Sequence, residues 1–511
     1  MIIYWHKHDF RLFDNQALNT ARELSKLNKT FFVPILGLEM DLAKNPKTAY
    51  EYSLFHQFGY YSSILPLYQN YLHYGLNPIL FTNSALDLLE KIFQIKKITH
   101  LVSHQEHGTS GTWERDKEVA KFCKANNIQW IEIPPSSVKR GVLNRDNRDK
   151  IFKNYVNTPT LQVPKFEIDT WKETEIQPLL EAFKVSNLKI FTQFSKNQLE
   201  IQNNFSLSLT SEKEGLQTFQ SFTKIRSKFY RGGISSPNSA IIHGSRLSQF
   251  LAFGSLSLRF VYQYFWKEIK LNSNSKIRSG ILGALQRLHW REHFIQRLET
   301  EAGMANTAIN KNFNAINYSH NLDLFEKFKT GNTGEVLIDA CIRCLLKTGF
   351  INFRMRAMLV SYAVFGLDLN WREVGRFLAS VFLDYEPGIH WSQVQMQSGV
   401  TGINTIRVYS PHKQLLDQDP ECVFVKKWLP QLASIDNDLI KKYPTISLFQ
   451  ETKGAYPDPA CNFKEASKIN KLKTFGVRKK SDPAVSKQVY LKHGSRRKKP
   501  KVIKTSSQLL I

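Results

Sequence analysis

The hydrophobic pattern of the first 135 residues alternates between short β-rich runs and amphipathic segments. The β-rich runs are IIYW, TFFVPIL, PILF, ITHLV and IQWIEI, and segments such as ALDLLEKIF and RDKEVAKFCKA separate them. Alternating strands and helices predict a parallel, doubly wound sheet with a Rossmann-like order. No G-x-G-x-x-G follows the first strand, so the standard dinucleotide fingerprint is absent here.

In the second half of the chain the β-rich runs nearly vanish and a helical period takes over. Segments such as LGALQRLHWREHFIQRLE and FINFRMRAMLVSYAVFG repeat apolar positions every three or four residues. The predicted fold class is therefore α/β plus all-α. The predicted divisions are an α/β domain over 1–135, a connector over 136–205, a helical domain over 206–450, and a basic, largely disordered tail over 451–511 with a helix near 463–473.

Composition narrows the class of protein. Hydrophobic residues make up 42% of 511 residues, yet no apolar run reaches the length of a membrane span or forms a signal-peptide core. Five scattered cysteines include one C-x-x-C pair, Cys341 and Cys344, in a segment typical of a buried helix. This usage favours reduced thiols and excludes a four-cysteine zinc site. We expect a monomeric cytoplasmic protein without a bound metal or a membrane segment, associated with the nucleoid if it is bacterial.

The net charge of +26 indicates a polyanionic partner. Residues 464–511 contain 15 Lys or Arg and two acidic residues, so half of the excess lies in the tail and half in the rest of the chain. Because both parts are basic, nucleic acid is the favoured partner.

A polar cluster begins the apolar segment HGSRLSQFLAFGSLSLR. It consists of Gly244, Ser245, Arg246 and Ser248 around the apolar Leu247. The free N–H groups and positive dipole end of a helix start can hold an anion, most often a phosphate. An ordinary helix cap, with Ser245 capping and Arg246 in water, explains the same residues, and on their own they favour it.

Charged residues also recur inside apolar helices farther along the chain, which costs free energy unless each has a partner. Arg291 lies in RLHWREHF, Arg356 in NFRMRAM, and Asp384 and Glu386 in FLDYEPG. An Arg356–Asp384 ion pair alone is weak evidence for a site. Combined with the polar cluster, these residues predict a cavity for a large, aromatic, phosphorylated ligand.

Several segments in order resemble the photolyase/cryptochrome family of flavoproteins. They are WHKHDFRLFDNQAL, YRGGISSPNSAIIHGSRLSQFLAFGSLSLR, LHWREHF, TGFINFRMRAMLVSY, LDLNWREVGRFLASVFLDYEPG and TGINTIRVYSPHKQ. The resemblance spans residues 1 to about 450. It implies an N-terminal α/β domain, a helical domain around a U-shaped flavin adenine dinucleotide (FAD), and a basic face around a hole that leads to the flavin.

The resemblance also assigns residues to the cofactor. Hydroxyls and N–H groups of the GSRLS segment hold the pyrophosphate, and His390 lies near the reactive flavin nitrogen. The implied FAD contacts are Tyr230, Gly244, Ser245, Arg246, Leu247, Ser248, Arg291, Arg356, Asp384, Glu386 and His390. An antenna chromophore of the folate or deazaflavin class would contact Glu106 and Trp113.

The implied activity is light-driven electron transfer from reduced FAD to a pyrimidine dimer flipped out of UV-damaged DNA. Trp290 matches the aromatic wall that receives the dimer; a core Trp is the other interpretation. Arg287 and Phe353 lie on the substrate side and differ from the best-known photolyases, as does Ala357. The two histidines of animal-type (6-4) photolyases are absent, which leaves cyclobutane dimers as the default substrate.

A relay of aromatic side chains that reduces the flavin is the last implied feature. Trp371 matches its central member, Trp391 its flavin-proximal member in a shifted register, and Tyr318 its surface position. Two functions stay open: a DNA repair lyase, and a cryptochrome, a blue-light receptor with little or no repair activity. Trp290, the basic body and the absence of a long acidic or Ser-rich tail favour repair.

Overall fold

The computed structural model describes residues 1–142, 145–166, 173–443 and 447–494. Its five strands are β1 Ile2–Trp5, β2 Phe32–Gly37, β3 Ile79–Phe81, β4 His100–His104 and β5 Gln129–Ile133. All pair in parallel in the order β3-β2-β1-β4-β5. The predicted doubly wound sheet is confirmed; β1, β2 and β3 are fully buried, as in a sheet covered on both faces, whereas the edge strand β5 is half-buried and carries Gln129 and Glu132.

Helices form the rest of the described chain. Around the sheet lie α1 Gln16–Leu27, α2 Met40–Lys44, α3 Leu54–His73, α4 Ala85–Ile95 and α5 Ser110–Ala125, followed by α6 Arg148–Asn157 and α7 Glu173–Asn204. The helical domain contains α8 Glu212–Lys224, α9 Tyr230–Gly233, α10 Pro237–His243, α11 Ser248–Ala252, α12 Leu258–Leu271, α13 Ser275–Thr300, α14 Leu322–Thr330, α15 Val336–Thr348, α16 Phe353–Ser361, α17 Trp371–Val381, α18 Pro387–Gln397, α19 Pro411–Gln418, α20 Val423–Trp428, α21 Asn437–Lys442 and α22 Leu448–Glu451. Two further helices, α23 Phe463–Lys480 and α24 Pro483–His493, end the described chain. Within these described ranges, no helix is long and apolar enough to span a membrane.

The range predicted as a connector contains a long packed helix. Helix α7 has 32 residues and lies along α3 and β3. Asn187 on α7 accepts a hydrogen bond from the N–H of Leu80 (2.8 Å) and donates one to the carbonyl of Pro78 (2.9 Å). Its apolar residues Leu179 and Phe194 are buried in the core. The Pro-containing stretches PPSS and NTPT led to the prediction of a connector, although a helical segment follows them. Helix α7 covers the edge of the sheet formed by β3.

The prediction that residues 451–511 are largely disordered is wrong for the part that α23 and α24 occupy. Phe463 stacks on Tyr362 with ring centroids 5.6 Å apart. Lys473 pairs with Asp368 at 2.9 Å, and Lys492 with Glu301 at 2.5 Å. The composition counted these lysines as free charge, whereas acidic groups of the body neutralise them. Residues 495–511, with the RRKK cluster, lie outside the described residues.

Candidate functional site

The GSRLS segment joins two short helices and does not start one long helix. Helix α11 has five residues, and α12 begins only at Leu258, after Gly254 at a φ of +66°. A Cβ at Gly254 would lie 2.0 Å from the carbonyl oxygen of His8, so the break is fixed by close backbone packing. The cap position of α11 is Leu247, without a side-chain cap, so the capping role considered for Ser245 is wrong.

Arg226 holds this segment in place through backbone carbonyls. Its guanidinium donates to the carbonyls of Thr218 (2.8 Å), Ser245 (3.3 Å) and Gly244. Burial and the positive charge of Arg246 lower the pKa of Arg226 to about 10. Sequence reasoning missed Arg226 because its partners come from separate segments.

Arg246 is a half-buried cation in a left-handed backbone conformation (φ +58°). Its guanidinium lies 3.8 Å over the ring of Phe350, and we find no hydrogen-bonding carboxylate for it among the described side chains. Burial lowers its pKa, and the positive charge of Arg356 lowers it further while Asp384 raises it. Arg226 and Arg246 together make this segment electropositive and suited to an anion such as a diphosphate.

Tyr230, the phosphate-side contact implied by the resemblance, is buried beside this region. Burial raises the pKa of its hydroxyl, and a side-chain hydrogen bond with Arg287 lowers it. Ser245 and Gly244 are half-buried, whereas Ser248 is exposed. The predicted phosphate residues Gly244, Ser245, Arg246 and Ser248 therefore form this electropositive segment, and Tyr230 lies four residues after Arg226, which holds that segment in place.

The predicted Arg356–Asp384 ion pair is present. Arg356 Nη2 lies 2.9 and 3.0 Å from the two carboxylate oxygens of Asp384, and Arg356 Nε donates to the carbonyl of Ile351. Nearby, His390 is buried with Nε2 2.8 Å from the carbonyl oxygen of Gly375. Burial lowers the pKa of His390 to about 3, so the ring is neutral at pH 7, with the Nε2–H donating to the Gly375 carbonyl and the lone pair on Nδ1.

Arg291 and Glu386, each predicted as a flavin contact, form a second ion pair at the boundary of the two domains. Arg291 Nη2 is 2.8 Å from Glu386 and 3.1 Å from the carbonyl oxygen of Leu251. Both charged residues line a cavity of about 90 Å³, together with Tyr385 and with His8 and Glu106 of the first domain. Arg291 and Glu386 of the helical domain therefore line the same cavity as His8 and Glu106, which follow strands β1 and β4 of the sheet.

Glu106, the expected antenna contact, is ion-paired within the first domain. Arg115 on α5 lies 2.6 Å from it, and His8 lies 3.6 Å away. Burial opposes its ionisation, but Arg115 and His8 outweigh burial and lower the pKa of Glu106 to about 2. Trp113 is not among the residues that line the 90 Å³ cavity.

The three predicted substrate residues are exposed. Trp290 on α13 is 48% exposed and stacks on Phe294 with ring centroids 5.9 Å apart. Arg287 lies one turn earlier on the same helix, and Phe353, 56% exposed, begins α16. The alternative interpretation of Trp290 as a core residue is wrong, because half of a core indole would not be in solvent.

Two members of the predicted relay are in contact. The rings of Trp371 and Trp391 are fully buried, with centroids 6.2 Å apart and planes at 75°. Tyr318 is packed near Arg372 and Asp368, and its hydroxyl lacks a hydrogen-bond partner among the described residues. The indole N–H of Trp391 donates to the Tyr385 hydroxyl at 3.1 Å, which places Trp391 one residue from the cavity.

The residues present fit FAD. The electropositive segment around Arg226 and Arg246 suits a diphosphate. The amide oxygen of Asn352 is buried and has no hydrogen-bond partner within the described ranges, and its nitrogen donates to the carbonyls of Ile234 and Ser235. Two arginine–carboxylate pairs can set the charge around a flavin ring. In the ranges that the structure describes, no group of three or more His, Cys, Asp or Glu could hold a metal ion.

Comparison with known proteins agrees with this geometry. Residues 2–155 match the DNA photolyase family model, and residues 284–474 match the FAD binding domain of DNA photolyase. The deoxyribodipyrimidine photo-lyase of Alkalihalophilus pseudofirmus is 22% identical over 85% of this chain and 88% of its own. The cryptochrome DASH of a Synechocystis species is 27% identical over 46% of this chain and 49% of its own.

A solved structure shares the fold at low identity. The archaeal photolyase from Sulfolobus tokodaii, determined with two FAD molecules, has a TM-score of 0.72 and 22% identity over 93% of this chain and 99% of its own. The matched FAD-binding domain includes most of α13 and all of α16, α17 and α18, which carry Arg291, Arg356 and the buried Trp371 and Trp391, together with the α17–α18 loop that carries Asp384 and Glu386. This chain belongs to the photolyase/cryptochrome family of FAD-binding flavoproteins.

Proposed function

We propose that this protein is a DNA photolyase that splits UV-induced pyrimidine dimers with light. The observation that carries the proposal is the exposed indole of Trp290, which has the cation Arg287 one turn away on the same helix. An exposed aromatic face bordered by cations is suited to a base that has left the duplex. A receptor without a DNA substrate has no need of such a surface.

Each group of residues has a separate task in this proposal. Bound FAD in its reduced form supplies the electron when it absorbs light. Arg246 and Ser245 bind the diphosphate, and Arg226 positions the backbone of their segment. Arg356 and Asp384 fix opposite charges beside the flavin ring. Trp290 stacks on the extruded bases, while Arg287 binds DNA phosphate.

Trp391 and Trp371 serve a different step, the reduction of oxidised flavin. Their edge-to-face contact at 6.2 Å allows a short electron hop, and complete burial excludes water from both rings. A light-harvesting chromophore of the folate or deazaflavin class near Glu106 stays a prediction.

Illumination of the reduced, FAD-loaded protein with DNA that contains cyclobutane dimers tests the function. We expect dimers to disappear in blue light and to persist in the dark, because electron transfer needs the excited cofactor. Loss of dimers is measured by chromatography of the digested DNA. Dimers that persist in the light, with flavin bound and reduced, would favour the cryptochrome function. That alternative stays open because this chain is also similar to a cryptochrome DASH.

A truncation that tests whether the basic tail binds DNA has to keep α23 and α24. Deletion after residue 463 would remove helices that pack on the body, so the informative truncation ends at Gly494. Residues 495–511 contain six Lys or Arg, and we expect weaker binding to undamaged DNA with a flatter salt dependence, by about 0.9 in the log–log slope per lost phosphate contact.

The matched control for this truncation keeps the length and replaces only the charges. It carries Gln at Arg496, Arg497, Lys498, Lys499, Lys501 and Lys504. Both variants should retain dimer repair at low salt. An unchanged salt slope in both would show that the tail does not touch DNA.

A further inference from the structure

A carboxylate lies within two hydrogen bonds of the flavin-proximal tryptophan. The indole N–H of Trp391 donates to the hydroxyl of Tyr385 (3.1 Å), and that hydroxyl donates to Glu51 Oε1 (3.1 Å). The ring of Tyr50 packs edge-on against Trp391, with centroids 6.1 Å apart and planes at 88°. Trp391 therefore has two aromatic neighbours at the same distance, Trp371 and Tyr50.

Glu51 is positioned to accept a proton. It ends the one-turn 3-10 helix Ala49–Glu51, which contacts α17, and it is buried. Thr109 donates to its second oxygen at 2.7 Å, and Tyr50, which precedes Glu51 in the chain, has its pKa raised by burial and by the negative charge of Glu51. Burial, together with the negative charge of Glu106, raises the pKa of Glu51 to about 7 in spite of these hydrogen bonds.

The expected end of the relay lacks such a base. The Tyr318 hydroxyl and the Trp371 indole nitrogen are both buried, with no hydrogen-bond partner among the residues described. Asp368, the nearest acidic group to Tyr318, is occupied by Lys473 at 2.9 Å. A phenol that loses an electron becomes strongly acidic and needs an acceptor within hydrogen-bond reach. The carboxylate of Glu51 directly follows Tyr50 in the chain and acts on its hydroxyl, whereas the carboxylate near Tyr318 is ion-paired with Lys473.

We propose that Tyr50 is the terminal electron donor of the aromatic relay and that Glu51 takes its phenolic proton. The proposal rests on the proposed function, because light-excited oxidised flavin is the oxidant that takes an electron from Trp391. One electron then moves from Tyr50 to oxidised Trp391, the O–H bond of Tyr50 breaks, and the proton passes to Glu51. The products are neutral Trp391, a neutral tyrosyl radical and a protonated carboxyl group.

The setting of Tyr50 supports a terminal role. Its side chain is half-buried, so a reductant in solution can reach it, whereas Trp371 and Trp391 are fully buried. The positive charge of Arg376 on α17 acts on the Tyr50 hydroxyl together with Glu51 and Thr109. A radical that has lost its proton to Glu51 cannot recover its electron from the flavin until the proton returns, which prolongs charge separation.

The test is electron paramagnetic resonance of the full, FAD-loaded chain after a blue flash, with the flavin oxidised beforehand. We expect a tyrosyl signal that ring-deuterated tyrosine narrows. Tyr50→Phe should abolish it, and the matched control Tyr318→Phe should leave it unchanged. A signal that survives in Tyr50→Phe, one that is lost in Tyr318→Phe, or a wild-type signal that ends on tryptophan would each overturn the proposal.

The role of Glu51 has its own readouts. Glu51 accepts a proton only when ionised, so the tyrosyl yield should fall as the pH decreases through about 7. The groups that face it are Tyr50, Thr109, Tyr385 and Glu106. Glu51→Gln should give a low yield at every pH. Infrared titration of flavin-free protein should show a carboxyl band near pH 7 that Glu51→Gln removes; no such band, or a flat wild-type yield, would contradict the role.

Repair is assayed separately with chemically reduced flavin, which bypasses the relay. Tyr50→Phe and Glu51→Gln should repair dimers at the wild-type rate under those conditions. Failed repair with a normal tyrosyl signal would refute the photolyase function alone. Normal repair with no effect of Tyr50→Phe on the signal would refute the relay proposal alone.

Discussion

Replacement of Trp290 by alanine should cost the protein its preference for damaged DNA. Stacking of a base on an aromatic side chain contributes roughly 1–3 kcal/mol, so affinity for dimer-containing DNA should fall about 5- to 140-fold. Affinity for undamaged DNA depends on Lys and Arg contacts with phosphates and should change far less. The quantity to measure is the ratio of the two dissociation constants.

Unfolding separates lesion stacking from packing in this variant. A buried Trp replaced by alanine costs about 3–5 kcal/mol of stability. Trp290 is 48% exposed, so a smaller loss is expected. The matched control is Trp266→Ala on α12, which removes an indole that is 38% exposed outside the proposed site. A large drop in Tm with an unchanged affinity ratio would sink the stacking role.

The double substitution of Arg246 and Ser245 by alanine should yield protein with little bound flavin. Hydrogen bonds to charged groups contribute about 1.5–3 kcal/mol each, so the loss of two weakens binding roughly 140- to 20,000-fold if they add. The measurement is flavin absorbance per protein after purification. Because Arg246 pairs with no carboxylate among the described side chains, its removal should leave the flavin-free protein folded.

The control for the double variant is Arg278→Ala at the start of α13. Arg278 donates to the carbonyls of Asn272 and Ser273 and lies outside the proposed flavin site. It should bind flavin as the wild type does. Flavin content near the wild-type value in the double variant would overturn the phosphate assignment.

The sheet and the Arg356–Asp384 pair could be predicted because their signals are local, whereas the pairing of Arg291 with Glu386 is visible only in the fold. β-rich runs can be recognised in a single sequence, and so can charged residues within apolar segments, such as Arg356 and Asp384. Arg226 could not be found this way, because its structural role depends on hydrogen bonds to carbonyl groups of Thr218 and Ser245, which only the fold brings together. The proximity of Tyr50 to Trp391 is likewise a product of domain packing, across more than 300 positions of sequence.

Order in the tail illustrates a different limit. Net charge counts each lysine equally, but Lys473 and Lys492 are matched by Asp368 and Glu301. A basic composition indicates disorder only where such partners are lacking. These ion pairs form only in the tertiary structure, so they cannot be recognised from the composition or the residue pattern of the tail.

The hydrogen bonds from Asn187 to β3 have a consequence for the behaviour of the protein in a crowded solution. An outer strand with free backbone groups is a template for strands of other molecules, and natural sheets protect such edges. Here the edge strand has three residues, and a side-chain amide on α7 occupies a donor and an acceptor beside it. We therefore expect helix α7 to reduce aggregation through pairing of the β3 edge with strands of other molecules.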